Sequence, residues 1–376
     1  MDATVVVVGG GATGTSVARD LAMRGADVAL FDRRGLLDGT SGRSHGVLHS
    51  GARYLPGDPA GARDCLAENA VLRDIAPACV AETGGAFVSL AADDPAYFAR
   101  KRAACEELDM AVDVRSGRAA REAVPALTDD VERLLSVPDA VVSPSRLVAA
   151  TAASAREHGA TVSPDTPVTD VHVADGAVTG VTAGGWRVAA DHVVNAAGAW
   201  AADVAAMADA SVPMAPTRGV MVVTPQPPSA VDRVVNRCRP PADGDIAVPR
   251  GDRLVLGTTS VPVDDPDEAV GGVGASPALD AEIRRVRRAG ATMLPALDEA
   301  PTLATYAGVR PLYAGGESDA EGNPDAGGDE RAISRDFVVL EDGHPTGLTT
   351  VAGGKLTTCR LMAEAVADRV CAHLGI

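Results

Sequence analysis

The stretch Val5-Val6-Val7-Val8-Gly9-Gly10-Gly11-Ala12-Thr13-Gly14 decides the fold of this chain. Its four consecutive β-branched residues predict a buried strand. Its glycines follow the spacing GxGxxG, and the next segment, Thr15–Arg24, carries apolar residues at helical intervals. A second apolar strand, Val28–Phe31, ends at Asp32. Strand, glycine turn, helix and strand together predict the βαβ opening of a dinucleotide-binding domain.

Each glycine of this motif has its own physical role. Gly9 permits the tight turn, Gly11 lets the backbone approach a pyrophosphate, and Gly14 lets helix and strand pack closely. The helix N-terminus, which includes Ala12 and Thr13, faces the phosphate charge. Asp32 can accept hydrogen bonds from the adenosine ribose, and the predicted cofactor site also includes Arg33.

Two later segments decide which dinucleotide is expected. The chain has no second GxGxxG, which a flavin reductase that also binds NAD would normally carry. Asn195-Ala196-Ala197-Gly198 follows a predicted strand, and Gly353-Gly354-Lys355 precedes the last predicted helix. Three strand-to-turn segments around one ligand suggest a long molecule, so the predicted cofactor is FAD.

Composition limits the classes of partner and location. The 376 residues are 46% hydrophobic and 23% charged, enough for a sizeable core and about two domains. The net charge is −17, and only Lys101 and Lys355 are lysines, leaving 32 arginines. An acidic, lysine-poor surface argues against a nucleic-acid partner and suits a salty cytoplasm.

Three further features of the sequence concern location and metal binding. The chain contains no apolar run of about 18 residues, so no transmembrane helix is expected. It begins without a secretory signal, which predicts a cytoplasmic protein. Its six cysteines stand far apart without metal-ligand spacing, so we expect idle thiols and no metal site.

The order of elements predicts an α/β fold, in which a Rossmann-like FAD-binding domain is interleaved with a mainly antiparallel β substrate domain. The FAD-binding segments are 1–80, 141–215 and 336–376, and the substrate-domain segments are 81–140 and 216–335. Short strands separated by Pro/Gly turns, between Arg218 and Tyr313, predict the antiparallel sheet. Trp186–Ala189 and His192–Asn195 are predicted as two strands, and Gly315–Glu330 as a surface insertion.

Three longer motifs carry a family resemblance. They are Gly42-Arg43-Ser44-His45-Gly46-Val47-Leu48-His49-Ser50-Gly51-Ala52-Arg53-Tyr54, Ala307-Gly308-Val309-Arg310-Pro311-Leu312 and Gly353-Gly354-Lys355-Leu356-Thr357-Thr358-Cys359-Arg360. With Val235–Arg239 and Gly257–Ser260, they resemble the FAD-dependent glycerol-3-phosphate dehydrogenases of the D-amino-acid-oxidase-like group, especially the catalytic subunit of the anaerobic enzyme. The resemblance covers nearly the whole chain. That catalytic subunit usually continues into a cysteine-rich region, which is not found before Ile376, so the route by which electrons leave stays open.

The resemblance implies that the substrate phosphate is held by arginines, since a guanidinium pairs bidentately with phosphate oxygens. The matching arginines are Arg53, Arg310 and Arg335. Tyr54 and Lys355 are expected beside them. Lys355 follows two glycines at a helix start, where a compact positive charge favours an anion or the reduced flavin, although a surface lysine is the alternative.

The loop after Thr40 supplies the remaining predicted residues. His49 is the predicted base for the substrate hydroxyl, or else a structural histidine of the loop. Thr40, Ser41 and Ser44 are expected to donate to the pyrophosphate. Gly257-Thr258-Thr259 either lines the substrate side or forms a sheet edge. The predicted cofactor site further includes His45, Gly46, Val168, Ala197, Gly198, Gly353, Gly354, Leu356 and Thr357.

The predicted function is oxidation of sn-glycerol 3-phosphate to dihydroxyacetone phosphate, by hydride transfer from C2 to flavin N5. His49 and Arg310 are the predicted catalytic residues. By the resemblance, electrons pass to a quinone through electron-transfer and membrane-anchor subunits, so the chain lies at the inner face of the membrane. One alternative is a 2-hydroxyacid or amine oxidase of the same group, whose carboxylate needs one arginine. Another is a flavin-binding assembly subunit without turnover.

Overall fold

The computed structural model describes residues 2–267, 277–315, 336–341 and 343–376. Its helices are α1 (Ala12–Met23), α2 (Pro59–Ile75), α3 (Pro95–Glu107), α4 (Gly117–Ala123), α5 (Pro144–Glu157), α6 (Ala201–Ala206), α7 (Pro277–Met293) and α8 (Cys359–Leu374). Its strands are β1 (Asp2–Val8), β2 (Val28–Phe31), β3 (Val47–Leu48), β4 (Val80–Ala81), β5 (Gly85–Leu90), β6 (Asp113–Ser116), β7 (Val131–Val137), β8 (Ala140–Val142), β9 (Thr161–Ser163), β10 (Val168–Ala174), β11 (Ala177–Ala183), β12 (Trp186–Asn195), β13 (Thr217–Pro225), β14 (Val234–Arg237), β15 (Ile246–Arg250), β16 (Arg253–Gly257), β17 (Val261–Pro262), β18 (Ala304–Arg310), β19 (Phe337–Leu340) and β20 (Leu348–Gly353).

The first sheet places the glycine turn beside the other walls of the site. Its order is β10-β11-β12-β1-β2-β9, with β20 beside β12 and β19 beside β20. The strands β12, β1 and β2 are parallel, and Val8 is paired with both Asn195 and Phe31. Asn195 is paired in turn with Thr350 of the parallel strand β20. The carboxyl ends of four strands therefore meet at one edge, where ligands of such sheets bind.

Both faces of this sheet are covered, as the run of four valines predicts. Val5 and Val7 pack with α1, α5 and α8 in one hydrophobic cluster. Val6 and Val8 point to the opposite face and pack in a cluster that includes residues of α6. The side chains of a strand alternate between faces, so a strand buried on both sides has no polar residue in its middle.

The predicted break in β12 is wrong. Trp186–Asn195 forms one strand instead of two, because β1 pairs with it in a single register from Ala189 to Asn195. Its other edge is shared by two partners, β11 along the first half and β20 along the second. The polar Asp191 between the two apolar stretches therefore lies within a strand and not in a turn.

The second sheet has the order β17-β13-β16-β15-β14-β5-β7-β6, and β18 pairs with the other edge of β13. Its pairs are antiparallel except for β14 and β5. A small third sheet, β3-β8-β4, also belongs to the fold. The predicted combination of an α/β cofactor-binding sheet with a mainly antiparallel sheet is confirmed. The elements β6, α4, β7 and β8 had not been predicted.

Some predictions are not tested by the described part of the fold. Arg335 and residues 316–330 of the predicted insertion lie outside the described residues. The division of the chain into five domain segments stays a prediction. Within the described ranges, no helix combines the length and the apolar character needed to cross a membrane. All six cysteines are buried and free of disulfides.

Candidate active site

A large cavity of about 420 Å³ opens at the carboxyl edge of the first sheet. We call it the large cavity. The predicted cofactor residues that line it are Gly9, Gly11, Ala12, Thr13, Asp32, Arg33, Thr40, Ser41, Ser44, Val168, Ala197, Gly198, Gly353, Gly354, Lys355 and Leu356. The three strand-to-turn segments that the sequence analysis assigned to one ligand therefore do meet around one space.

The glycine turn can be formed only by glycine at two of its positions. Gly9 has φ +113°, and a Cβ there would lie 2.5 Å from the carbonyl oxygen of Ala196. A Cβ at Gly14 would overlap the carbonyl oxygen of Gly9, so this glycine serves the packing of α1 against β1. Ala12 donates its backbone N–H to Ser41 Oγ at 3.0 Å. The first turn of α1, whose N–H groups lack intrahelical acceptors, thus faces the large cavity and suits an anion.

Asp32 holds this turn in place. Its Oδ2 accepts a hydrogen bond from the Gly10 amide at 2.5 Å, and its Oδ1 accepts from the Arg34 amide at 2.8 Å. Each carboxylate oxygen has a second lone pair. The contact with a ribose therefore stays a prediction that the geometry allows.

Two buried polar atoms test whether the large cavity fits a dinucleotide. Ser44 Oγ and Trp200 Nε1 have no hydrogen-bond partner within the described part of the chain, and both residues line the cavity. Buried polar groups in proteins nearly always form a hydrogen bond, so we expect polar atoms of a bound ligand to be the partners of these two atoms. Together with the N-terminus of α1, these donors fit FAD.

Trp200 had not been predicted as a site residue. Its ring lies 4.5 Å below the guanidinium of Arg33, which also pairs with Asp267 at 2.5 Å. The available signal was its position two residues after Gly198, at the end of the turn that follows β12.

A small cavity of about 110 Å³ adjoins the large one, with which it shares Thr40 and Ser44. We call it the small cavity. Its lining consists of Thr40, Arg43, Ser44, His45, His49, Arg53, Gly219, Met221, Thr258, Gly308 and Arg310. Three arginines and two histidines around so small a space, in a chain of net charge −17, are suited to a small anion.

Arg310 stands at the end of β18 and is held in a fixed direction. Its Nη2 donates to the carbonyl oxygen of Thr259 at 2.9 Å and to Thr258 Oγ1 at 3.2 Å, and its Nη1 donates to Thr217 Oγ1 at 3.3 Å. Gly219 leaves room for this guanidinium, since a Cβ there would lie 2.7 Å from Nη2. Of Gly257–Thr259, Thr258 lines the small cavity and Gly257 ends β16; a role of these residues on the substrate side stays a prediction.

Two other arginines line the small cavity. Arg53 donates from Nη1 to Asn236 Oδ1 at 3.1 Å. Arg43 lies 3.3 Å from Asp38. Burial alone would raise the pKa of the Asp38 carboxyl, but Arg34 and Arg43 hold it below its ordinary value. Arg43 had not been predicted, although it stands in the motif that carried the resemblance. Only the 3₁₀ turn Thr40–Arg43 brings it to the cavity.

The predicted base, His49, lies on the wall of the small cavity. His49 is buried, lines the small cavity, and its ring centroid lies 5.5 Å from that of Tyr54. Its backbone N–H donates to Thr357 Oγ1 at 3.1 Å, which fixes the loop. Its role as the base stays a prediction.

Lys355 lies between the cofactor side and Tyr54. Its Nζ is 2.8 Å from Asp336 Oδ1 and 4.7 Å from the ring centroid of Tyr54. Burial lowers the pKa of this ammonium, but Tyr54 and Asp336 outweigh burial and raise it above its ordinary value. Lys355 is therefore a permanent positive charge on the wall of the large cavity.

Four predicted cofactor residues lie off the large cavity. Gly14 packs against Gly9, and Thr357 supports the loop of His49. His45 lines the small cavity instead. Gly46 has φ +71°, and a Cβ there would overlap the guanidinium of Arg250. Any contact of these four with the cofactor stays a prediction.

Known proteins share the sequence pattern of this chain. The family model described as FAD dependent oxidoreductase matches residues 4–360. Over 99% of its length, the chain is 42% identical to an anaerobic glycerol-3-phosphate dehydrogenase subunit of Haloferax volcanii and 38% identical to one of Escherichia coli. It spans 64% and 67%, respectively, of the lengths of those proteins.

Solved structures show the same fold. A glycine oxidase from Geobacillus kaustophilus superposes with a TM-score of 0.80 at 23% identity, covering 98% of this chain and 94% of that chain. A glycerol-3-phosphate dehydrogenase from Bacillus halodurans, complexed with FAD, superposes with a TM-score of 0.75 at 22% identity, covering 100% and 65%. The resemblance and the fold class predicted from sequence are confirmed. The halophilic interpretation agrees with the similarity to the Haloferax volcanii protein.

Proposed function

Since the chain belongs to the FAD-dependent oxidoreductase family and FAD is its cofactor, we propose that it oxidises sn-glycerol 3-phosphate to dihydroxyacetone phosphate. One observation carries this proposal. The small cavity, which adjoins the cofactor cavity, brings together Arg43, Arg53 and Arg310. The names of the relatives from Haloferax volcanii and Escherichia coli support the same substrate.

The number of arginines favours a phosphate over a carboxylate. The phosphate of the substrate is close to a dianion at neutral pH, since the second pKa of a phosphate monoester is about 6. Bidentate arginine pairs recognise such groups by geometry as well as by charge. A 2-hydroxyacid or an amino acid needs one arginine for its carboxylate, so three guanidinium groups and Lys355 would be unnecessary there. Arg335 stays in the proposed clamp on sequence grounds alone.

The residues of the small cavity have separate tasks in this reaction. The residues that line the large cavity would hold FAD, which would supply the acceptor for the hydride that leaves C2. His49 takes the proton of the C2 hydroxyl, because an imidazole titrates near neutral pH and this ring lies on the cavity wall. Arg310 and Arg53 orient the phosphate and so fix which carbon faces the cofactor.

We further propose that the electrons pass to a quinone through partner subunits. The support is that the relatives are named as subunits of an anaerobic dehydrogenase. In this proposal the chain lies in the cytoplasm, and its partners carry the electron-transfer centre and the membrane anchor.

Anaerobic titration of the purified, FAD-loaded protein tests the function. Glycerol 3-phosphate should bleach the flavin absorbance stoichiometrically, whereas glycerol should not, since it lacks the phosphate that the arginines bind. Bleaching by a 2-hydroxyacid or an amine, but not by glycerol 3-phosphate, would assign the alternative oxidase activity. A flavin that none of these compounds reduces would indicate an assembly subunit.

A further inference from the structure

One buried ammonium has no place in the site described so far. Lys101, one of the two lysines of the chain, lies in α3 and is 1% exposed. Its Nζ donates to the carbonyl oxygen of Ala52 at 2.7 Å and also to that of Leu55. These two carbonyls flank Arg53 and Tyr54, so the ammonium fastens both ends of the segment that carries two proposed substrate residues.

The surroundings of Lys101 make its charge costly. Its Nζ is buried, and cation–π contacts with the rings of Phe87 and Tyr97, whose centroids lie 4.7 Å and 5.5 Å away, offset only part of the cost. A buried ammonium loses its hydration, and a methionine of similar length would fill the same space without that cost. What the ammonium adds is the pair of hydrogen bonds to the loop. A guanidinium is larger and planar, so arginine, which the chain uses almost everywhere else, cannot replace its compact donors.

We propose that Lys101 is a positioning residue for phosphate recognition, because it fixes the backbone on both sides of Arg53 and thereby the direction of its guanidinium into the small cavity. The other end of Arg53 is held by Asn236, so the side chain is fixed at its base and at its tip. This inference rests on the proposed oxidation of glycerol 3-phosphate.

The first test is Lys101→Met, measured by anaerobic steady-state kinetics with an artificial electron acceptor. The KM for glycerol 3-phosphate should rise about tenfold or more, the equivalent of one weakened contact with a charged group. The kcat and the FAD content should change much less. Cys105→Ala is the matched control, since it removes a buried side chain one turn further along α3. If KM rises equally in both variants, Lys101 contributes only to the packing of α3, and the proposal is overturned.

A double-mutant cycle separates positioning from general stability. If Lys101 acts through Arg53, then Lys101→Met should raise KM far less in an Arg53→Ala background than in the wild type. Additive effects would overturn the proposal. If wild-type flavin is not reduced by glycerol 3-phosphate at all, the proposed function fails and this inference fails with it. If the wild type is active and the KM of Lys101→Met for glycerol 3-phosphate equals that of the wild type, this inference alone is wrong.

The wild type gives an independent measurement should Lys101→Met fail to fold. The pKa of Lys101 is lowered to about 8, chiefly by burial and in smaller part by the charge of Arg53, while Cys238, Cys105 and Asp139 oppose the shift. As pH rises through about 8, the charge-assisted bonds to the loop become weaker neutral ones. The KM for glycerol 3-phosphate should therefore increase over that range, where the phosphate stays a dianion. A KM that is constant between pH 7 and 9 would contradict the proposal.

Discussion

Arg310 is the residue whose replacement tests phosphate recognition most directly. Three oxygens, from Thr217, Thr258 and Thr259, fix its guanidinium at the wall of the small cavity. A hydrogen bond to a charged group contributes roughly 1.5–3 kcal/mol. Loss of a bidentate pair in Arg310→Ala should therefore lower kcat/KM for glycerol 3-phosphate about 100-fold, since 1.4 kcal/mol corresponds to a factor of ten. Arg310→Lys keeps the charge but not the fork and should lose about tenfold.

The assay compares two substrates and one control variant. Glycerol, which lacks the phosphate, should be a poor substrate for the wild type and should lose little more in Arg310→Ala. Arg285→Ala removes the same charge from an exposed arginine that pairs with Asp243, and it should leave kcat/KM nearly unchanged. FAD content should be the same in all variants. If Arg310→Ala impairs glycerol and glycerol 3-phosphate equally, Arg310 acts on the flavin or the fold and is not a phosphate ligand.

Three further predictions concern the cofactor, acid stability and salt. Gly11→Val should abolish FAD binding, because its side chain would occupy the place of the pyrophosphate; the ratio of flavin to protein absorbance measures this. Burial lowers the pKa of His192 to about 4. The unfolded chain therefore binds the proton first as pH falls from about 6.5 to 4, and the free energy of unfolding should decrease over that window by up to about 3 kcal/mol. Urea titrations should show a smaller decrease for His192→Gln. The melting temperature of the wild type should rise between low and molar KCl, because salt at 1 M screens carboxylate repulsion to about 3 Å.

Each of these expectations has a result that contradicts it. A yellow Gly11→Val protein would mean that the cofactor lies elsewhere. An identical pH dependence for wild type and His192→Gln would remove the buried imidazole as a source of acid instability. A melting temperature that falls or stays constant in KCl would refute the halophilic interpretation of the composition.

The opening of the fold could be predicted because its signals are local. Within 20 residues the chain carries four valines, the glycine spacing and a helical pattern of apolar residues. Each of these features is needed to form the same strand–turn–helix unit. The strand β12 was misjudged for the opposite reason. Its continuity depends on β1, which pairs along it from Ala189 to Asn195 although the local sequence there is interrupted by Asp191. Tertiary pairing overrides a local polar residue.

The small cavity also shows that local sequence alone does not predict every residue of the site. Arg53 and Arg310 could be selected because each stands in a recognisable motif. Arg43 stands in the same motif as Arg53 but was not selected, because its closeness to the other two arginines depends on the 3₁₀ turn Thr40–Arg43, which the sequence analysis did not predict. Lys101 and Trp200 were missed likewise, because both contact residues that are distant in sequence. Lys101 donates to carbonyl oxygens 46 and 49 residues away, and the ring of Trp200 contacts Arg33.

The positive charges of this acidic chain are held by two different kinds of partner. Many arginines pair with a carboxylate, such as Arg360 with Glu68 at 2.5 Å, and such a pair carries little net charge. Arg53 instead bonds to the amide oxygen of Asn236, and Lys101 to two carbonyl oxygens. Neutral acceptors fix the direction of a cation without cancelling its field. In a protein of net charge −17, the charge of Arg53 is therefore cancelled less than that of Arg43, which already pairs with Asp38 at 3.3 Å, so we expect Arg53 to contribute more than Arg43 to holding a dianion.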